Sequence, residues 1–102
     1  MSYHEERSIA AKAKAVIDSL TPSTERTDAN VHAVRLAAGT ARDATKNLSG
    51  EEGLDNARGE AAIALSGLCG LMDRRATIQD MTDRACKAVA MWLRELERMT
   101  GA

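Results

Sequence analysis

The side chains best placed to do chemistry in this chain are two pairs of carboxylates, Glu52 with Asp55 and Asp80 with Asp83. Each pair is spaced i, i+3, which on a helix sets both acids on one face a turn apart. Two such helices can hold a divalent cation if their acids converge in the core of a bundle. Other donors are sparse. Asp28 and His32 could form one edge of a metal site, but a site needs three or four ligands. His4 and Glu5 are adjacent, so their side chains diverge. Cys69 and Cys86 are too far apart in sequence for a metal-binding pair, and two cysteines make no disulfide framework. They are expected to behave as small apolar residues. No catalytic residue, metal ligand or cofactor is assigned, and the chain is expected not to be an enzyme.

The elements that must position these groups are helices. Ser2 followed by Glu5, and Ser49 followed by Glu52, fit capping boxes. Thr21-Pro22 sets a hydroxyl before a proline at a first helical position, and Thr77 followed by Asp80 is a weaker start signal. Helices are predicted near 3–19, 22–47, 50–73 and 77–99. At 100° per residue each gains an apolar stripe. The first carries Ile9, Ala13, Val16, Ile17 and Leu20; the second Val31, Val34, Ala37, Ala38, Ala41 and Leu48. The third carries Leu54, Ala57, Ala61, Leu65, Leu68 and Met72; the fourth Ile78, Met81, Ala85, Ala88, Val89, Trp92, Leu96 and Met99. Short connections favour antiparallel neighbours. The expected fold is a single all-α domain over residues 1–102, an up-down bundle of about four helices.

That arrangement bears on the carboxylates. Their spacing resembles the magnesium-binding acids of the all-α nucleotide pyrophosphatases of the MazG type, with Asp at most positions where that family has Glu. The resemblance implies hydrolysis of nucleoside triphosphates. In antiparallel helices three and four, however, Asp55 and Asp80 lie on the order of 25–30 Å apart at 1.5 Å rise per residue. A shared metal would then need Glu52 and Asp80 from different chains. A lone Trp in a helical chain of this size also invites comparison with the secreted ESX-type hairpins. Those carry Trp-x-Gly in their turn, whereas Trp92-Leu93-Arg94 falls within the last helix, and the match fails.

Residues 61–72, AAIALSGLCGLM, contain no charge. Opposite its core stripe the third helix carries Gly59, Ile63, Ser66, Gly67 and Gly70. An interior glycine costs about 0.8–1.0 kcal/mol relative to Ala, so three of them call for a reason. Small residues at three- and four-residue intervals let another helix approach closely. Helix three is therefore expected to pack on two flanks, against helix one or two or against a second chain. If Gly59, Ile63, Ser66 and Gly70 face open water in a lone chain, the case for a binding role loses its main support. Leu36 and Met91 also point away from their core stripes and are candidate contact residues.

Composition narrows the remaining classes. The formal net charge is −1, with basic and acidic residues interspersed, and no basic face suited to nucleic acid is visible. An uncharged run of twelve falls short of the roughly eighteen to twenty residues that span a bilayer. The segment MSYHEERS is too polar for a signal peptide, so a cytoplasmic location is expected. About one residue in five is Ala, which adds little buried volume, so burial through association would help. The expected function is that of a non-enzymatic, self-associating helical protein that binds another protein as adaptor or inhibitor. An alternative is an oligomer that sequesters a small anion such as a nucleotide, as small phage counter-defence proteins do, through Arg74, Arg75 and Arg84.

Overall fold

The spacing of Ser2 to Glu5 yields the side-chain cap of the predicted box. Ser2 Oγ accepts the Glu5 backbone N–H at 3.1 Å, and the Ser2 carbonyl accepts that of Glu6 at 3.0 Å, opening the first helix. The computed structural model describes residues 1–19, 28–73 and 79–101, excepting the side chains of Asp28, Leu71 and Asp73. They form four helices: α1 (Tyr3–Ser19), α2 (Asp28–Ala44), α3 (Glu52–Asp73) and α4 (Gln79–Thr100). The expected starts at Thr21-Pro22 and Thr77, with Leu20 and Ile78, lie outside the described residues.

Two local expectations need correcting. The second helix stops at Ala44, short of residue 47. There the Thr45 hydroxyl donates to the Arg42 carbonyl at 2.6 Å, and the Thr45 and Lys46 N–H groups bond three residues back. Such tightening satisfies the last carbonyls and ends the helix. Leu48, expected in the core, is 77% exposed in the following turn. Ser49 does not form a box with Glu52. Its N–H and hydroxyl both donate to Asp55 Oδ1, at 3.0 and 2.8 Å, while its Oγ accepts the Glu51 N–H. Gly50 makes this turn with φ of 86°, a conformation that other residues rarely adopt.

The helices run alternately up and down. The start of α3 meets the end of α4 (Glu51 with Arg98), and the start of α1 meets it too (Arg7 with Thr100). At the far end Asp18 of α1 meets Cys86 of α4. Each helix contacts two neighbours, α1 beside α2 and α4, and α3 beside α2 and α4. The backbones of the diagonal pairs do not meet among the described residues. The result is a square bundle measuring 39 × 22 × 20 Å.

The whole predicted stripe of α3 is buried, as are Ala13 and Ile17 of α1 and Val34 to Ala41 at helical spacing on α2. On α4 the stripe from Ala85 to Leu96 is buried too, while Met81 and Met99 are only half-buried. Among the described residues alanine supplies ten of the nineteen buried apolar side chains, so neighbouring helices approach closely and few large side chains fit between them. Trp92, wholly enclosed, is the largest of those few, and its indole N–H needs an acceptor inside the core.

Candidate functional site

That acceptor is a charge. Trp92 Nε1 donates to Glu6 Oε2 at 2.7 Å, although Glu6 lies on the buried arc of α1 with Ala10, Ala13 and Ile17 and is only 4% exposed. A carboxylate so enclosed requires a cation. Arg58 of α3 provides it with two hydrogen bonds, Nε to Oε2 at 2.9 Å and Nη2 to Oε1 at 2.6 Å. Arg58 is itself 6% exposed. The pair therefore spans the bundle diagonal, from α1 to α3, where the two backbones do not meet.

A surrounding shell completes the junction. The Tyr3 ring lies 5.8 Å from the guanidinium carbon, within range of a cation–π contact. Asp55 Oδ1 is 3.7 Å from Arg58 Nη1. The two Ser49 hydrogen bonds, helped by Arg58, hold the Asp55 carboxyl below the usual aspartate range. Hydrogen bonding to Glu6 raises the Arg58 guanidinium further above its already high value. No fully buried side-chain nitrogen or oxygen lacks a hydrogen-bond partner among the described residues. Sequence pattern did not mark Glu6 or Arg58. The available signals were the register of Glu6 with Ala10 and Ala13, and the donor that a buried Trp must satisfy.

Next to the junction, at the end of the bundle, is a cleft of about 440 Å³ between α1, α2 and α3. Glu6 and Arg58 line it together with Thr40 and Asp43 of α2 and Asn47 of the turn.

The residues expected to bind partners lie elsewhere. Ile63 is 60% exposed, Ser66 is exposed, and a Cβ on Gly59 or Gly70 would meet nothing within 4 Å. In the single chain this face of α3 is bare. Neither α1 nor α2 covers it, so packing on two flanks within the chain does not occur. Gly67 differs, because a Cβ there would come within 2.7 Å of Met81 Cε on α4, making it a contact inside the bundle. Leu36 and Met91 are 45% and 54% exposed, and with Ile63 they belong to three different helices.

Among the described residues the remaining candidates are not brought together into one site. Arg84 shares a groove between α3 and α4 with Lys87 and three acids, Glu60, Asp80 and Asp83, which leaves no positive excess for an anion. Arg74 and Arg75 lie outside the described residues. Asp55 sits where α3 begins beside the end of α4, and Asp80 sits at the opposite end, so one chain does not bring the carboxylate pairs together. Among the described residues no three His, Cys, Asp or Glu side chains are grouped to hold a metal. Neither cysteine is in a disulfide. Cys86 Sγ donates to Asp18 Oδ1 at 3.1 Å, and Lys14 bonds the same aspartate at 2.7 Å. The hydrogen bond to Asp18, with burial, pushes the Cys86 thiol up, away from the thiolate that nucleophilic chemistry requires. No helix among the described residues is long and apolar enough to cross a membrane.

No protein-family model, curated protein or solved structure matches the chain.

Proposed function

We propose that this chain is a non-enzymatic helical protein that self-associates and acts by binding another protein. The outer side of α3 faces open water in the single chain, so it lends the reading no support through contacts within the fold, and the reading rests instead on what a second copy would find there. That side is uncharged from residue 61 to 72, it exposes Ile63, and it flanks that side chain with Gly59, Ser66 and Gly70. Gly67 lies opposite Met81, whereas among the described residues nothing accounts for Gly59 and Gly70. A second copy would. A protruding Ile63 set among small residues gives one surface both a knob and a hollow, as a two-fold contact between identical chains requires.

A further observation supports a binding role over catalysis. The groups with reactive potential are tied into structural pairs: Cys86 to Asp18, Asp55 to Ser49, and Glu6 to Arg58 and Trp92. The test is light scattering at micromolar concentration on the chain and on Ile63→Glu. The expected result is a mass above the 10.9 kDa of one chain that the substitution returns to that value. A strict monomer for both proteins would remove the self-association reading.

A further inference from the structure

Along α4 the order Asp80, Asp83, Arg84, Lys87 reads the same from either end once the signs are exchanged. At 100° per residue the four fall within an arc of about 100°. All are exposed, and all line the groove between α3 and α4. Among the described residues none of them is in an ion pair, and Asp83 accepts only the Gln79 side-chain amide, at 2.9 Å. The bare side of α3 has an order of the same kind. Gly59 and Gly70 stand equally far from a point midway between Ala64 and Leu65, and so do Ile63 and Ser66. The matching point on α4 lies between Asp83 and Arg84. Gly67 faces Met81 and Gly53 faces Glu95, which sets how far the two antiparallel helices are slid past one another. One midpoint lies two and a half residues before Gly67 and the other two and a half after Met81. The two are therefore level.

We propose that a second copy of this chain docks on this face, α3 against α3 and antiparallel, about a two-fold axis through the two midpoints. The inference rests on the self-association reading and adds its surface, direction and register. The rotation sets Gly59 against the partner's Gly70, and Ile63 against the partner's Ser66. It also brings Asp80 level with the partner's Lys87 and Asp83 level with the partner's Arg84. A parallel pairing would set like charges opposite each other. A relative slip of one helical turn does the same: one way Arg84 meets the partner's Lys87, the other way Asp80 meets the partner's Asp83. The small-residue strip supplies the contact, and the charges reject its other arrangements.

The test reverses the charges. Asp80→Lys with Asp83→Lys makes the strip wholly basic, and Arg84→Glu with Lys87→Glu makes it wholly acidic. The positions are exposed, where substitutions cost little stability, and far-UV circular dichroism checks the fold. Each reversed protein is expected to dimerise about tenfold or more weakly than the natural chain in sedimentation velocity, because attractions become repulsions on both sides of the axis. An equimolar mixture of the two is expected to recover association as a heterodimer. Cross-linking gives a second reading, with Cys69→Ala and Cys86→Ala as background. Gly59→Cys mixed with Gly70→Cys should form an intermolecular disulfide. Either alone should not, because its two copies lie roughly 16 Å apart along the axis. If the natural chain dimerises and both reversed proteins do so equally well, this register is overturned while self-association stands. The same holds if the mixture fails to recover, or if one cysteine variant alone bridges as well as the pair. If the natural chain and the mixture both stay monomeric, self-association falls with it.

Discussion

Replacing Gly59 and Gly70 with alanine tests the outer side of α3 most directly. Both glycines are helical, and a Cβ at either would meet nothing within 4 Å. The only change in a lone chain is then helix propensity, a gain of about 0.5–1 kcal/mol for each substitution. The two sites are eleven residues apart, roughly 16 Å along the axis, so their effects should add. The double variant should gain about 1–2 kcal/mol, or roughly 4–16 °C in Tm for a domain of this size. Gly53 and Gly67 are useful contrasts. A Cβ there would lie 2.9 Å from Glu95 Oε1 and 2.7 Å from Met81 Cε, so a flexible side chain must move and the gain shrinks. Urea unfolding followed by Trp92 fluorescence, at submicromolar and at about 100 μM protein, separates the cases. A bare surface gives the same gain at both concentrations. A close contact between copies gives the gain only at low concentration and erases the extra stability that association confers at high concentration. Destabilisation of the dilute double variant would refute the reasoning, because it would mean that the methyl groups collide with something inside the fold.

Other outcomes follow from the junction. Glu6→Ala leaves Arg58 buried without its main counter-charge and Trp92 without an acceptor. The expected cost is about 3–5 kcal/mol, a large share of the 5–15 kcal/mol that typically holds a domain together. Glu6→Leu with Arg58→Met should recover much of it, and urea midpoints decide both. Asp55 has its carboxyl lowered below its unfolded value, chiefly by Ser49 and then by Arg58. The stability it contributes is therefore present above the unfolded value near pH 3.9 and is lost as pH falls through the lower folded value. Asp55→Asn should flatten the fall in urea midpoint below about pH 4 while leaving the share due to Asp18, which Lys14 lowers in the same direction.

The sequence made the helices and most of the core legible because both are written in local periodicity. The stripe Leu54, Ala57, Ala61, Leu65, Leu68 and Met72 repeats every three or four residues and is buried throughout. Capping succeeded at Ser2, where Glu5 stands at the required offset. It failed at Ser49, because Asp55, six residues on, offered a better acceptor than Glu52 could. The period that points Leu48 at the core runs past a turn that Thr45 closes, which leaves Leu48 exposed. The junction could not be read in the same way. Glu6, Arg58 and Trp92 are 52 and 86 positions apart, and a charged residue on an apolar arc is ordinarily assigned to the edge of that arc. Only the pairing of helices across a diagonal makes such a charge tolerable, and periodicity within one helix carries no record of it. The α3 glycines were visible, but whether they meet a neighbour depends on a surface that one chain does not supply.

The diagonal strut also has a consequence for biogenesis. Its three members come from the first, third and last helices, so the acid encoded at position 6 stays without its indole partner until position 92 has been translated and has cleared the ribosome. That end of the bundle therefore closes only after position 92 has emerged, and a fragment that stops before it cannot complete the junction.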